Sequence, residues 1–417
     1  MDSFVEKKVA LSMAWKMLLW LLVAQIMVSF VGRSLSPLAV LIGVDLSLTN
    51  AQIGMLPAAL FLGQSLVAIP SGILVDRIGS KKQLLVTTIC LGISFGLIAL
   101  SHQFILLLVV VAIGGGAYGA MHPTTNRGIL YWFPQRKRGL AMGIKQMGIT
   151  VGAALAALIL LPFAKEVGWR PVLIISCLVL VAVGFLTSFY YRDPGKEVPV
   201  YNEEKKASLL EQLTSVLQNK PLLLISISAM GLQGAQLCLT TYIVIFTYEK
   251  LAFSLVIAGL LLVIAEVGGS IGRVAWGTIS DTFFKGERMT IMLMVTVLTA
   301  VCALVFSTLT AGTPLVVVMM IVLLFGFCIS GYNGIWMNIV TELVPKEKSG
   351  LATGITITIS SWGVIIIPPV FGYIVDKSAS FSSGWLFVMG LMGAVFILLQ
   401  QTMKQMKKLN GITGRAM

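Results

Sequence analysis

The stretch Gly72–Lys82 reads GILVDRIGSKK. Two glycines, one acid and three basic residues are packed into it. It follows directly on an uncharged run that begins at Gly54 (GMLPAALFLGQSLVAIPS) and leads directly into another, from Gln83 to Ser101. Each run is close to the length needed to cross ~30 Å of hydrocarbon at 1.5 Å per helical residue. A short charged turn between two such runs is a hairpin of membrane spans, with the turn at one membrane face.

The composition of all 417 residues agrees, with 57% hydrophobic and 11% charged. Soluble domains carry roughly 25% charged residues, so there are too few here to cover a water-exposed surface, and a soluble enzyme or a disordered chain is excluded. The first apolar run is too long for the core of a cleavable signal and ends in no small-residue cleavage site. Five cysteines lie inside apolar runs with no metal-ligand spacing and read as small hydrophobes. No cofactor and no metal site is expected.

Reading outward for further runs predicts twelve spans, near 13–40, 51–75, 83–101, 104–131, 139–162 and 170–191, then 221–248, 255–280, 289–310, 313–341, 350–375 and 382–403. This divides the chain into a six-helix bundle over 1–191, a polar linker over 192–220, and a second six-helix bundle over 221–417 that ends in a basic tail. Within the linker, YNEEKKASLLEQL has the pattern of an amphipathic surface helix. The halves repeat one another. The segment from Gly54 through Asp76 matches GLLLVIAEVGGSIGRVAWGTISD, from Gly259 through Asp281, at an offset of 205. PQRKRGLAMGI from Pro134 matches PKEKSGLATGI from Pro345 at an offset of 211. Both matches run in the same sense, as expected of two parallel repeats around a site at the membrane midplane.

Charge sets the direction. Lys and Arg number 30 against 17 acids, a net +13, which in a soluble chain would suggest nucleic acid. With both termini inside, 22 of the 30 lie in cytoplasmic segments, four in outer loops (Lys165, Arg170, Lys250, Lys377) and four in spans. The positive-inside rule therefore predicts N-in and C-in, and no nucleic-acid partner is needed to explain the excess. The basic tail from Lys404 to Arg415 reads as a cytoplasmic anchor.

The turn at Gly72 resembles the loop signature of the major facilitator superfamily, G-x-L-x-D-R-x-G-x-[KR]-[KR], and GTISD at Gly277 is similar to a decayed second copy. The resemblance implies an all-α membrane protein of twelve helices in two six-helix repeats, which transports by alternating access and is not an enzyme. In physical terms Gly72 lets two helices approach, and Asp76 can accept hydrogen bonds from the amides that begin a neighbouring helix. Arg77, Gly79, Lys81 and, in the second copy, Asp281 complete a gating motif at the cytoplasmic face.

The four basic residues in spans are Arg33, Arg127, Lys145 and Arg273, and only Glu266 offsets them. A charge at the bilayer centre costs at least ~2.5–3.5 kcal/mol on insertion scales, so a surplus of cations there points to a water-filled cavity that receives an anion. Arg273 lies eight residues before Asp281, about 12 Å along the helix. Its context, RVAWGTISD, resembles the eighth helix of oxalate/formate antiporters and, more loosely, of monocarboxylate and nitrate porters, whose arginine there binds the anionic substrate. Glu266 shares its helical face, either as a structural bridge to Arg273 or as a coupling group. Arg33, in FVGRSLSPLAV, looks like the first-helix arginine of anion:cation symporter-type organic-anion porters. Their preceding acid is replaced here by Gly32, and the fourth-helix Arg and Glu of those porters fall in register on Val111 and Tyr118. The oxalate-type lysine of span eleven falls on Thr358, and an Asn of the nitrate-porter signature is missing from span five.

Lys145, between the glycines of GLAMGIKQMGITVG, reads either as a substrate contact or as a side chain that reaches back to the cytoplasm. Arg127, nearer the end of its span, has the same two readings. His122 and Tyr118, four apart beside Pro123, form one stripe, open to proton relay or to plain packing. Tyr332 and Trp336 form another, facing a substrate or packed between helices.

The expected function is secondary active transport of a small organic anion, a carboxylate or sulfonate, through the cell membrane. The transporter is expected to act as a monomer, coupled to H+ or to a counter-substrate. Substrate binding falls to Arg273, Arg33, Lys145 and Arg127, and coupling to Glu266, His122 and Tyr118. The alternative is a multidrug or hydrophobic-compound exporter of the same fold, which the cationic interior argues against. A membrane enzyme would need paired carboxylates, HExxH or a nucleophile with a base, and the spans carry none of these.

Overall fold

A computed structural model describes residues 2–193, 218–284, 286–344 and 349–413. The YNEEKKASLLEQL segment, most of the linker and the start of the Pro345 repeat lie outside the described residues. The chain forms two compact units. One comprises Met1–Leu48 and Ala59–Tyr201, the other Thr49–Ala58 and Asn202–Met417.

The first unit holds α1 (Asp2–Gly32), α2 (Leu35–Asp45), most of α3 (Asn50–Leu100), α4 (Phe104–Trp132), α5 (Gln135–Val167) and α6 (Trp169–Tyr190). The second holds α7 (Lys220–Ile245), a π-turn (Phe246–Lys250), α8 (Leu255–Phe283), α9 (Arg288–Thr308), α10 (Leu315–Ile329), α11 (Asn333–Glu342), α12 (Ser349–Ser378) and α13 (Phe381–Thr413). Among the described residues, eleven helical segments are long and apolar enough to cross a membrane. One of them, α3, has 51 residues and joins two helical arms across a kink at Gly79. Its arms of 29 and 21 residues, 50–78 and 80–100, are each about as long as one span needs. Large apolar side chains such as Ile69, Ile105 and Val274 stand exposed, as lipid-facing residues do. Inside the second unit, Phe246, Phe306, Phe371 and Trp385 pack as a buried aromatic core.

The internal repeat is visible at backbone level. In the first unit a Cβ on Gly63 would overlap the carbonyl oxygen of Ala112, and one on Gly115 would overlap that of Leu60. In the second unit Gly268 meets the carbonyl of Leu323, and Gly326 that of Ala265, in the same way. Gly268 and Ala265 stand 205 residues beyond Gly63 and Leu60, while Gly326 and Leu323 stand 211 beyond Gly115 and Ala112. Both offsets equal those of the sequence repeat. The same crossed pair of small residues seats one helix on another in each unit, the way membrane helices gain close packing.

The Gly72–Lys82 stretch lies inside α3, and the helix breaks at Gly79, where φ is 85° and ψ is 161°. Beyond the break a helix restarts with unpaired amides. Asp193, just past α6, takes them: Ser80 N donates to Oδ1 at 3.2 Å and Lys81 N to Oδ2 at 3.0 Å. A Cβ on Gly79 would lie 2.5 Å from that carboxylate, so glycine serves both the positive φ and the approach. Asp76 does something else. It pairs with Arg127 of α4, Nε to Oδ1 at 3.3 Å, while Arg127 also donates to Tyr131 Oη at 2.9 Å and covers its ring. The carboxylates on helix-start amides in the described residues include Asp193 and, on the Asn50 and Ala51 amides that begin α3, Asp376, while Asp76, expected in such a role, is on Arg127. A Cβ on Gly72 would meet no described atom within 4 Å, so the close approach expected at Gly72 is found at Gly63 instead. Arg77 is exposed and Lys81 half-buried. In the second unit Asp281 is exposed, and the ion pair found there joins Arg288 to Glu342.

Two outcomes are expected. Gly115→Val and Gly326→Val should each lower the thermal unfolding midpoint of purified protein by the equivalent of about 1–3 kcal/mol or more, with Gly72→Ala nearly neutral. Asp193→Ala should cost about 1 kcal/mol as a lost cap. Asp76→Ala, which removes a surface pair, should cost less than that.

Candidate functional site

In the first unit Tyr118, His122 and Asn126 recur every four residues along α4, and so share one face over about 12 Å. Arg33 Nε donates to Tyr118 Oη at 3.4 Å, and its guanidinium lies 5.6 Å from the centre of the Phe61 ring. The Tyr118 and His122 rings meet edge to face at 6.4 Å. His122 lies in the field of both Arg33 and Lys145. At the far end of the face Lys145 Nζ donates to Asn126 Oδ1 at 2.9 Å. Basic groups from α5 and from the first span thus converge on a polar stripe of α4.

Arg33 occupies this position because the first span is broken. Helix α1 ends at Gly32 and α2 begins at Leu35. A Cβ on Gly32 would lie 2.8 Å from Tyr118 Cε2 and closer still to Cδ2. The acid that precedes the arginine in the resembled porters is therefore sterically incompatible with a tyrosine at 118. Lys145 is placed by close packing of α5 on α1, where a Cβ on Gly148 would come within 3.0 Å of Gln25 Cγ and one on Gly152 within 2.9 Å of Phe30 N. The side chain of Lys145 is 2% exposed. The Lys145 ammonium bonds Asn126. Gly143, in contrast, has nothing within 4 Å of an added Cβ. Arg127 follows Asn126 by one residue and is rotated about 100° around the helix, off the stripe and onto Asp76. Of the four basic residues in spans, it is the one the structure ties to the Gly72–Lys82 motif.

The second unit has its own broken span, between α10 and α11 at Ser330–Tyr332. Such a break leaves carbonyls without helical partners. Arg273 Nε donates to Ser330 O at 3.3 Å, Asn333 Nδ2 donates to the same oxygen at 3.2 Å, and Trp276 Nε1 donates to Phe327 O at 3.1 Å. Asn333 Nδ2 also reaches Gln236 Oε1 of α7 at 3.4 Å. Arg273 is half-buried. Glu266 is 9% exposed. Tyr332 and Trp336 are fully buried with rings 6.3 Å apart, which is the packed one of their two readings. The Thr358 hydroxyl bonds back to Gly354 O at 2.9 Å, so no cation stands where oxalate-type porters carry lysine.

Sequence reading missed Asn126, Asp193, Asn333 and Gln236. Asn126 had a signal, since it continues the Tyr118–His122 spacing by one more turn. The others are joined by backbone breaks that no side-chain pattern announces.

The family model for the Major Facilitator Superfamily matches residues 21–368. The hexuronate transporter of Bacillus subtilis (strain 168) is 25% identical over 388 residues, covering 89% of this chain and 90% of that protein. A Cupriavidus necator protein named "Probable sulfoacetate transporter" is 23% identical over 406 residues, covering 91% and 93%. The crystal structure of the nucleoside transporter NupG superposes with a TM-score of 0.74 at 17% identity, covering 93% of this chain and 99% of that one. This last likeness concerns the fold alone. The family and these relatives are transporters, not enzymes, and a chain with this many membrane-length helices is a multi-pass membrane protein, in line with the cell-membrane location expected from its sequence. The chain belongs to the Major Facilitator Superfamily.

Proposed function

We propose that this protein is a secondary active transporter that moves a small organic anion, a carboxylate or sulfonate, across the cell membrane by alternating access. The observation that carries the reading is Lys145. A buried ammonium whose bond is to a neutral amide, in a unit that also presents Arg33 to the same α4 face, keeps a positive charge that an anion can satisfy. Two relatives with anions in their names support it, one a hexuronate and one a sulfoacetate transporter.

In this reading both arms of α3 cross the bilayer, which makes twelve spans. The 22 basic residues of the predicted inner segments set N-in and C-in. The six-helix halves 1–191 and 221–417 move about the 192–220 linker as a monomer. Arg33 and Lys145 bind substrate from the first half and Arg273 from the second. Arg127 serves the cytoplasmic motif with Gly72, Asp76, Arg77, Gly79, Lys81 and Asp281. Bound anion offsets the cationic interior, lowers the cost of occlusion, and so favours the states through which the halves exchange access. Glu266, His122 and Tyr118 are the groups through which H+ would couple. Exchange with a counter-substrate is the other route to the same flux.

Losing one charge-assisted hydrogen bond costs about 1.5–3 kcal/mol, about 10- to 100-fold in affinity. Arg273→Ala and Lys145→Gln are each expected to weaken uptake of a hexuronate or sulfoacetate into proteoliposomes by that factor, read as a rise in KM, with the protein still monodisperse. Wild-type rates in both variants, or competition by cationic dyes and not by anions, would overturn the proposal.

A further inference from the structure

The partner of Lys145 has a chemistry of its own. An ammonium offers only donors, so the Asn126 atom that faces it at 2.9 Å is the amide oxygen, Oδ1. This fixes the rotation of the amide. The two Nδ2 protons then point away from Lys145, and two of the three Nζ protons remain unspent in that bond. The pair thus offers up to four N–H donors and one positive charge against a single remaining lone pair on Oδ1. It lies on the stripe that also holds His122 and Tyr118, and Asn126 itself is half-buried, not sealed in the core.

We infer that Asn126 and Lys145 form an oxyanion subsite, in which Asn126 is a specificity-determining residue that hydrogen-bonds the substrate's charged group while it positions the Lys145 ammonium. The inference rests on the anion reading above and assigns the carboxylate or sulfonate end of the substrate to this pair. The acids of the first unit within 7–191 are Asp45, Asp76 and Glu166. Asp45 is held by Arg170 and Trp169, Asp76 by Arg127, and Glu166 is exposed near the end of α5. Among the described residues no ion pair joins Lys145 to an acid, which leaves its charge for a ligand to meet.

Asn126→Asp separates this role from a structural one. An aspartate keeps an acceptor for Lys145 and adds an ion pair, so a residue needed only to hold Lys145 would be replaced without loss. As part of an oxyanion subsite, the same change removes two donors and cancels the charge. In purified full-length protein, the ligand-free unfolding midpoint of the variant is expected to match or exceed that of wild type. Its affinity for D-glucuronate and for sulfoacetate, from titration calorimetry and from the KM of uptake, is expected to fall about 10-fold or more. Asn126→Ser, which drops the amide donors without adding charge, is expected to fall less, and it carries the comparison if the aspartate variant does not fold. Wild-type affinity in these variants would overturn the role of Asn126 and leave the anion reading standing. A wild-type protein that binds neither carboxylates nor sulfonates would overturn the anion reading itself.

Discussion

Each unit hangs on a place where two helices touch through their backbones. Gly63 and Gly115 in one unit, and Gly268 and Gly326 in the other, sit where any side chain would strike a carbonyl oxygen of the facing helix. In a bilayer, lipid tails are as apolar as leucine, so burying apolar surface gives no preference for one helix over another, and van der Waals contact at short range decides which helices pair. Everything functional is carried by helices held this way. The α4 stripe of Tyr118, His122 and Asn126 follows directly after Gly115. Arg273 follows Gly268 by five residues. The polar stripe of α4 and Arg273 thus lie on seated helices, and the seats fix where those side chains go.

Within that frame the two units solve one problem with different parts. Both break a span and place an arginine at or beside the break. In the first unit the arginine is part of the broken segment itself and bonds a tyrosine hydroxyl. In the second it comes from a neighbouring helix and bonds a carbonyl that the break has freed. Both arrangements are rich in N–H donors, a costly composition for a membrane protein with nothing to bind. Near helix ends, Arg127, Arg170 and Arg288 each meet an acid.

Much of the fold was legible in the sequence because a bilayer imposes a simple rule: long uncharged runs span, and basic turns punctuate. The repeat offsets were legible too, and they reappear unchanged in the backbone seats. The roles of single residues were read less well. Gly72 and Asp76 carried the expectation of close packing and of a helix-start cap, but in the described structure Gly63 is closely packed and Asp193 and Asp376 sit on helix-start amides. Asp193 lies more than a hundred positions from the amides it bonds, and no local pattern marks such a pairing. The fate of Lys145 turned on a neutral partner, Asn126, and a reading that looked for charges passed over it. The helix breaks at Arg33 and Ser330 went unread because each falls inside a run long enough to span the bilayer.

The contact between Gly32 and Tyr118 also bears on how such a site changes over evolutionary time. Because the tyrosine ring fills the space where a side chain at position 32 would stand, the two positions are not free to vary one at a time. A lineage carrying Tyr118 cannot first acquire an acid at 32. It must shrink or replace the tyrosine, and only then does the second change become sterically permissible. The order of substitutions is built into the packing, so this cavity reaches an acid-bearing form by one route and not by its reverse.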